Sequence, residues 1–271
     1  MEQFKYTTNP HFRDIYSDTN TFKISGTPLE VIQSLAWVRA MGGGHLRVGL
    51  GFLNAKGLYY NGVGVRNEWR GRLDEQDLDI IRELTQNQKW IKSVEPWTGE
   101  IVTHDLDKID YTRDKDNTFN MHPMDRFGKV LKIHWTQWQS CRFKSWLDIP
   151  ANVGRPMGKA IVLCGGNWQE STQFPQWKLQ NIDKIATFVG TQEEYNSFVE
   201  ASGITCDTVI TDSVWTLATW VSGAQQTIGT PGWGIAVAQA CNKPYAVQKI
   251  ENVDTWNDPW LMAERMNNSA F

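Results

Sequence analysis

The amino-acid sequence predicts an α/β protein organised around parallel sheet and divided into two units. In the second half of the chain, short apolar runs alternate with amphipathic segments of helical length. That order belongs to parallel strands covered by helices on both faces. One run, Gln226–Ile228, feeds a glycine-rich turn that opens directly into a helix of small residues. Ahead of this half lies Trp146–Gly158, where Pro150, Gly154, Pro156 and Gly158 gather in a turn-rich stretch that reads as a domain boundary. At about 150 residues per domain, a chain of 271 residues has room for two units.

Taken in order, residues 1–20 are polar and read as a lead-in, and Thr21–Ser25 reads as a strand. Gly26-Thr27-Pro28 opens a helix, with Thr27 suited to the N-cap and Pro28 to the first helical position. Leu29, Ile32, Leu35, Ala36 and Val38 mark one apolar face of it. Gly42-Gly43-Gly44 ends that helix, and His45–Gly51 is the next strand. A phosphate-cradling glycine loop needs a strand before it and a helix after it. Here the order is reversed, so the triple glycine reads as a C-cap and turn. Leu73–Gln86 is helical with a Leu78, Ile81, Leu84 stripe, Glu100–His104 is a strand, and Asp125–Trp138 is a further helix.

Beyond the boundary, Lys159–Cys164 is a fully apolar strand followed at once by Gly165-Gly166. Ile185–Val189 is a strand ending at Gly190, and Thr191–Ala201 is a helix. Ser213–Gly223 is a second helix with Leu217, Trp220 and Val221 on one side. Gln226–Ile228, the helix Gly234–Cys241 and the strand Pro244–Val247 complete the series.

Composition narrows the classes of function. Hydrophobic residues at 41% with 21% charged exclude global disorder. The absence of an apolar run of about 18 residues excludes a membrane-spanning helix, and the polar start does not read as a secretory signal. A net charge of −3 excludes a uniformly basic nucleic-acid coat. Cys141, Cys164, Cys206 and Cys241 form no C-x-x-C pair, so a reducing, cytoplasmic setting is expected, with Cys164 and Cys241 as buried thiols. Fourteen tryptophans exceed what a core needs and suggest ring-lined surfaces. Between 108 and 144, eight Lys/Arg face four Asp, with Phe119, Phe127, His134, Trp135 and Trp138 among them. That stretch reads either as a solvated helical face with core rings or as a surface for an anionic acceptor such as nucleic acid.

The chemistry gathers at Thr230-Pro231-Gly232-Trp233-Gly234. A buried strand delivers this turn to the positive end of a helix, whose first N–H groups have no intrahelical partner. Small residues let a diphosphate approach that backbone closely. Gly190 and Glu193 sit at the carboxyl end of another strand, where a carboxylate can accept hydrogen bonds from ribose hydroxyls or cap its own helix. Gly165-Gly166 would face the same crevice. His-Glu-x-x-His, Gly-x-Ser-x-Gly and Walker A sequences do not occur.

Three segments together resemble a known family. Gly26 followed by Ser34-Leu-Ala-Trp-Val-Arg-Ala-Met-Gly-Gly-Gly, then Phe188-Val-Gly-Thr-Gln-Glu-Glu-Tyr, then Ile228-Gly-Thr-Pro-Gly-Trp-Gly-Ile-Ala-Val-Ala-Gln-Ala, are similar in order to heptosyltransferase-like GT-B glycosyltransferases. The likeness covers roughly residues 21–250, and the chain looks like shortened, bacteriophage-encoded members. It implies a GT-B-like pair of Rossmann-like domains with parallel sheets facing a cleft. Residues 1–150 would form the acceptor side and 151–250 the nucleotide-sugar side, and 251–271 would return as a helix to the first domain. It implies a donor held by Gly165, Gly166, Gly190, Glu193, Thr230, Pro231, Gly232, Trp233 and Gly234, with no cofactor beyond the nucleotide-sugar co-substrate. Thr27, Lys129, Lys132, His134 and Trp135 would lie on the acceptor side, the acceptor being a modified base in phage DNA.

One departure stands out. The family carries Gly-Asp before the first helix, with the Asp as general base, and this chain has Gly26-Thr27. Asp105 at the end of a strand is the expected replacement, with His104 second. Helix N–H groups at 230–234 would stabilise the leaving diphosphate without a metal. Of the Asp-x-Asp triplets, Asp77/Asp79 lies on a helix, where i and i+2 diverge. The alternative reading is a nucleotide- or DNA-binding protein that has lost transfer, with Thr27 as the mark of that loss.

Overall fold

The computed structural model describes residues 16–26, 28–50, 73–107, 145–151, 161–166, 168, 182–230 and 232–247. Thr27, Pro231, the helix expected at 125–138 with Lys129, Lys132, His134 and Trp135, and the returning C-terminal helix lie outside the described residues.

The first unit opens with β1 (Thr21–Ile24), α1 (Pro28–Ala40) and β2 (Gly44–Val48). It continues with α2 (Glu75–Thr85), β3 (Ile91–Pro96) and the short β4 (His104–Asp105). The second contains β5 (Ile161–Cys164), α3 (Ile182–Ile185), β6 (Ala186–Gly190), α4 (Gln192–Ser202) and β7 (Asp207–Ile210). It ends with α5 (Val214–Gly223), β8 (Gln226–Gly229), α6 (Trp233–Ala240) and β9 (Tyr245–Val247). The sheets run β3-β2-β1-β4 and β7-β6-β5-β8-β9, and every pairing in both is parallel. Each sheet therefore starts in its centre, grows to one side, then crosses over to the other. The order reverses between β1 and β4 in the first sheet and between β5 and β8 in the second. Such switch points open a crevice at the carboxyl ends of the strands.

Local signals set the helix ends. Asp74 caps α2 in a full capping box with Asp77, and Thr191 does the same for α4 with Glu194. The triple glycine terminates α1: the Gly43 N–H donates to Val38 O at 2.8 Å and the Gly42 N–H to Arg39 O at 3.0 Å. Gly42 and Gly43 both take positive φ, the left-handed backbone that closes a helix without steric cost in glycine.

The structure goes beyond or departs from the sequence reading in three places. Helix α1 has no polar face: every residue from Glu30 to Val38 is buried, Gln33 and Ser34 included. One side packs on Phe22, Ile24 and Leu46 of its own sheet. Elsewhere it meets the second unit, where the Gln33 amide donates to Gln239 of α6 at 3.0 Å. The strand expected at Glu100–His104 shrinks to His104–Asp105, because Thr98 and Glu100 form a local turn in which the Thr98 N–H and hydroxyl donate to the Glu100 carboxylate. Strands β3 and β7 add to the series. Both are sheet edges, half covered at most, so their sequences lack the apolar run of a central strand.

A single buried cluster runs from Phe22, Ile24, Leu35 and Leu46 through Trp146 to Val162, Val189, Val221 and Ala236. The two units thus share a core through α1, α5 and α6. A second, smaller cluster of Leu163, Phe188, Phe198 and Trp168 fills the other face of the second sheet beneath α4. Trp168 meets Phe198 edge-on at 5.0 Å between ring centres.

Two buried hydroxyls stand out in this core. Thr187 on β6 and Thr227 on β8 flank Val162 in register, and neither hydroxyl has a hydrogen-bond partner. A buried, unpaired hydroxyl costs more than a methyl of similar shape. Thr187→Val and Thr227→Val are each expected to raise unfolding free energy by about 1 kcal/mol, measured as a shifted denaturant midpoint at constant slope. A loss of stability in both variants would contradict the reading.

Candidate functional site

The switch point of the second sheet lies between the ends of β5 and β8. Strand β5 runs into Gly165, which takes φ +92. A side chain at that position would collide with the Thr230 hydroxyl just past β8, so glycine is required for both backbone and space. The Thr230 N–H donates to Cys164 O at 3.3 Å, closing the two strand ends together. Thr230 itself is 2% exposed, and its hydroxyl oxygen has no hydrogen-bond partner. A buried polar group left in this state at a strand end calls for a functional account.

Helix α6 starts three residues further on. Its N-cap is Gly232, which provides no side-chain cap to the first turn. The first intrahelical bond there is from the Ala236 N–H to Gly232 O, at 3.1 Å. The N–H groups at 233–235 therefore lie at the positive end of the helix with no side-chain cap hydrogen bond. Gly234 is buried and faces Cys164 so closely that a methyl group would overlap its sulfur. That contact draws the helix start onto the strand ends. The Cys164 and Cys241 thiols are each pushed up to about 12, chiefly by burial, so both stay protonated as expected for core cysteines.

At the adjacent end of β6, the structure separates two glutamates that the sequence left together. Glu193 is exposed on the first turn of α4. Glu194 folds back instead: its Oε2 accepts the Thr191 N–H at 2.9 Å, and its side chain lies over both Gly190 and Gly166. The carboxylate beside those glycines is thus Glu194, brought there by the capping box. Thr191 at the N-cap followed three residues later by Glu194 was the signal for it.

On the first unit, Asp105 and His104 are both engaged locally. The Asp105 Oδ1 accepts the Asp107 N–H at 3.1 Å and stands 3.9 Å from Lys23 Nζ. Asp107, which the sequence reading passed over, is the more deeply set carboxylate at this switch point. It accepts the Ser25 N–H at 2.9 Å and the Ser25 hydroxyl at 2.7 Å, with Lys23 Nζ at 3.3 Å. Lys23 also lies over the Trp97 ring at 4.0 Å. These bonds tie the ends of β1 and β4 together.

The His104 ring stacks on Phe22 at 4.8 Å, and burial holds its pKa below the ordinary 6.5. The unfolded chain therefore takes up this proton first as pH falls below 6.5, and folding stability drops through that interval down to the folded pKa. Above 6.5 the group contributes no slope. His104→Phe keeps a ring on Phe22 and is expected to flatten that part of the stability–pH curve. An unchanged slope in the variant would exclude His104 as its source.

No family model matches the chain, and no curated protein matches it in sequence. Solved structures do share its fold. One is the iron-containing dodecameric glycosyltransferase TibC from enterotoxigenic E. coli H10407, with a TM-score of 0.50 at 11% identity over 91% of this chain and 67% of that one. Another is the dodecameric iron-containing heptosyltransferase TibC in complex with ADP-D-beta-D-heptose, with a TM-score of 0.52 at 10% identity over the same shares. The fold is GT-B-like. Within that fold the described residues bring together Gly165, Gly166, Gly190, Thr230, Gly232, Trp233 and Gly234 at neighbouring strand ends. His104 and Asp105 have their partners, Phe22, Lys23 and Asp107, within the first unit. Among the described residues, no helix is long and apolar enough to cross a membrane, and no three His, Cys, Asp or Glu side chains group as a metal site.

Proposed function

We propose that this chain is a glycosyltransferase that takes a sugar from a nucleotide-sugar and delivers it to an acceptor hydroxyl. The observation that carries the reading is the β5–β8 switch point. There an uncapped helix start, two glycines and an unpaired Thr230 hydroxyl converge where an anionic ligand gains most. The nucleotide-sugar held by the similar heptosyltransferase supports the donor class. The diphosphate would lie against the N–H groups of 233–235 and accept the Thr230 hydroxyl. Glu194, beside Gly166 and Gly190, is placed for the ribose hydroxyls.

The reaction breaks the bond between the anomeric carbon and the diphosphate oxygen and forms one to the acceptor oxygen, whose proton passes to a base. Charge growing on the leaving diphosphate meets the positive end of α6, an electrostatic contribution of a fixed dipole. The nucleotide-sugar is the only co-substrate in this scheme. The division at 150–158 separates a donor side from an acceptor side. The proposed acceptor is a modified DNA base, supported by the basic and aromatic residues of 108–144.

The test is release of nucleoside diphosphate from a panel of nucleotide-sugars, with and without DNA bearing hydroxymethylated bases, using Gly234→Glu as control. DNA-dependent release that the control abolishes supports the scheme; release dependent on another acceptor overturns the DNA assignment alone. A second reading is favoured by Thr27 standing where the family has Asp, and by Asp105 being occupied by Lys23 and the Asp107 N–H. It is a nucleotide-binding protein without transfer, and tight nucleotide binding with no turnover would select it.

A further inference from the structure

Strand β5 leaves the second sheet through Gly165-Gly166, a peptide with no side chain on either flank. Two neighbouring glycines leave the plane between them nearly free to turn over, because no Cβ hinders either rotation. The orientation matters, since a trans peptide points its C=O and its N–H in opposite directions. Turned one way, the plane offers the crevice at the ends of β5 and β8 a hydrogen-bond donor. Turned the other way, it offers an acceptor, which a diphosphate avoids.

Trp168 sets this orientation. Its indole N–H donates to Gly165 O at 2.6 Å. The ring is buried, meets Phe198 edge-on and belongs to the cluster beneath α4. Its backbone N–H donates to the Ser197 hydroxyl of α4 at 3.2 Å, so the indole is anchored on a helix and not on the loop alone. The Gly165 carbonyl is thereby drawn toward Trp168, and the Gly166 N–H turns away from it. Among the described residues that N–H has no hydrogen-bond partner. Both glycines keep part of their surface open to solvent. Helix α6, with its own uncapped N–H groups, packs in the cluster on the opposite face of the sheet from Trp168.

We propose that Trp168 is a positioning residue for the candidate donor site: its indole holds the Gly165-Gly166 peptide so that the Gly166 N–H joins those of 233–235 as a donor to the diphosphate. The proposal rests on the diphosphate reading of that crevice, and part of its test does not. Without the indole N–H the plane samples both orientations, and one of them sets a carbonyl oxygen against the phosphate.

Glycine labelled with carbon-13 at the carbonyl and nitrogen-15 at the amide gives a correlated NMR signal only where one glycine follows another. In this chain that happens at 42–43, 43–44 and 165–166. Gly166→Ala, whose methyl makes only ordinary contact with Glu194, identifies the third signal by its loss. Two replacements of Trp168 are then compared in the full chain: Trp168→Phe, and benzothienylalanine at 168, which keeps the fused ring and puts sulfur in place of the N–H. In both, the Gly165 carbonyl signal should move as its hydrogen bond is lost, and ADP and UDP binding by calorimetry should weaken by about tenfold. In the native protein, bound ADP or UDP should shift the Gly166 amide proton downfield. A ring that only filled the core would be replaced by its isostere without effect on binding. Native affinity in the benzothienylalanine protein would therefore overturn the proposal, as would a Gly165 carbonyl signal that this replacement leaves unmoved. If the native protein binds neither ADP nor UDP, the diphosphate reading fails, while the carbonyl signal still decides whether Trp168 sets the peptide.

Discussion

Replacing Gly234 by alanine is expected to cost about 1–3 kcal/mol of stability, the usual range for an overpacked contact. The cause is local and specific. A methyl group at 234 would overlap the Cys164 sulfur and press on its β-carbon. Gly229 approaches the same cysteine from β8, so the sulfur is confined on that side as well. The first turn of α6 must then lift from the strand ends, and the N–H groups of 233–235 move with it. Ligand affinity is expected to fall alongside stability. Combining Gly234→Ala with Cys164→Ala removes the sulfur, the closer contact, and leaves only the looser one to the β-carbon, so the double variant should lose less than the sum of the singles by about 1 kcal/mol or more. Denaturant unfolding of the four proteins completes the cycle. Strict additivity would mean that the helix start is not set by this contact.

Trp146→Ala is expected to be the most damaging single truncation, at about 3–5 kcal/mol. Trp146 lies outside the regular elements and is 2% exposed between the units. Its indole N–H donates to Ile32 O in α1 at 2.9 Å, and its backbone N–H donates to Ala240 O in α6, also at 2.9 Å. Arg39 fastens the same residue by donating to Trp146 O at 2.9 Å. The ring is therefore a wedge in the one cluster that both sheets share, and its loss leaves a cavity touching both. Trp146→Phe isolates the indole hydrogen bond and should cost about 1 kcal/mol of the total through that bond, beyond its smaller change in volume. A loss below 1 kcal/mol for the alanine variant would show that the shared core does not depend on this residue.

Much of the second sheet was legible from sequence, because its central strands are buried on both faces. Such strands appear as apolar runs, and β5, β6 and β8 each stood out with a glycine at or beside the end. The edge strands β3 and β7 follow the opposite rule: with one side open to water, Ile91–Pro96 and Asp207–Ile210 carry charge and polarity that mask the strand. Helix α1 shows the limit of periodicity. Its apolar stripe was visible, yet Gln33 and Ser34 are as buried as Leu35, because the amide of Gln33 meets a partner 206 positions away in the chain. No local pattern contains that information.

The candidate site divides the same way. The turn at 230–234 could be found because strand, glycine and helix follow each other directly. Choosing between Glu193 and Glu194 required recognising which one closes the capping box with Thr191. Asp107 was considered only as part of an Asp-x-Asp triplet, and the partner that holds it, Ser25, lies 82 positions earlier in the sequence.

The central claim is that the crevice at the ends of β5 and β8 binds a diphosphate, and Thr230 gives the most direct measurement. Thr230→Val exchanges an unpaired buried hydroxyl for a methyl, so the ligand-free variant should be at least as stable as the native protein. If the hydroxyl is kept for a diphosphate, the same variant should bind ADP or UDP at least about tenfold more weakly, close to the worth of one hydrogen bond to a charged group. Calorimetric binding beside a thermal melt reads both quantities from one preparation. Stability kept and affinity lost is the predicted pair; nucleoside diphosphate binding that is absent in the native protein, or unchanged by Thr230→Val, would contradict the claim.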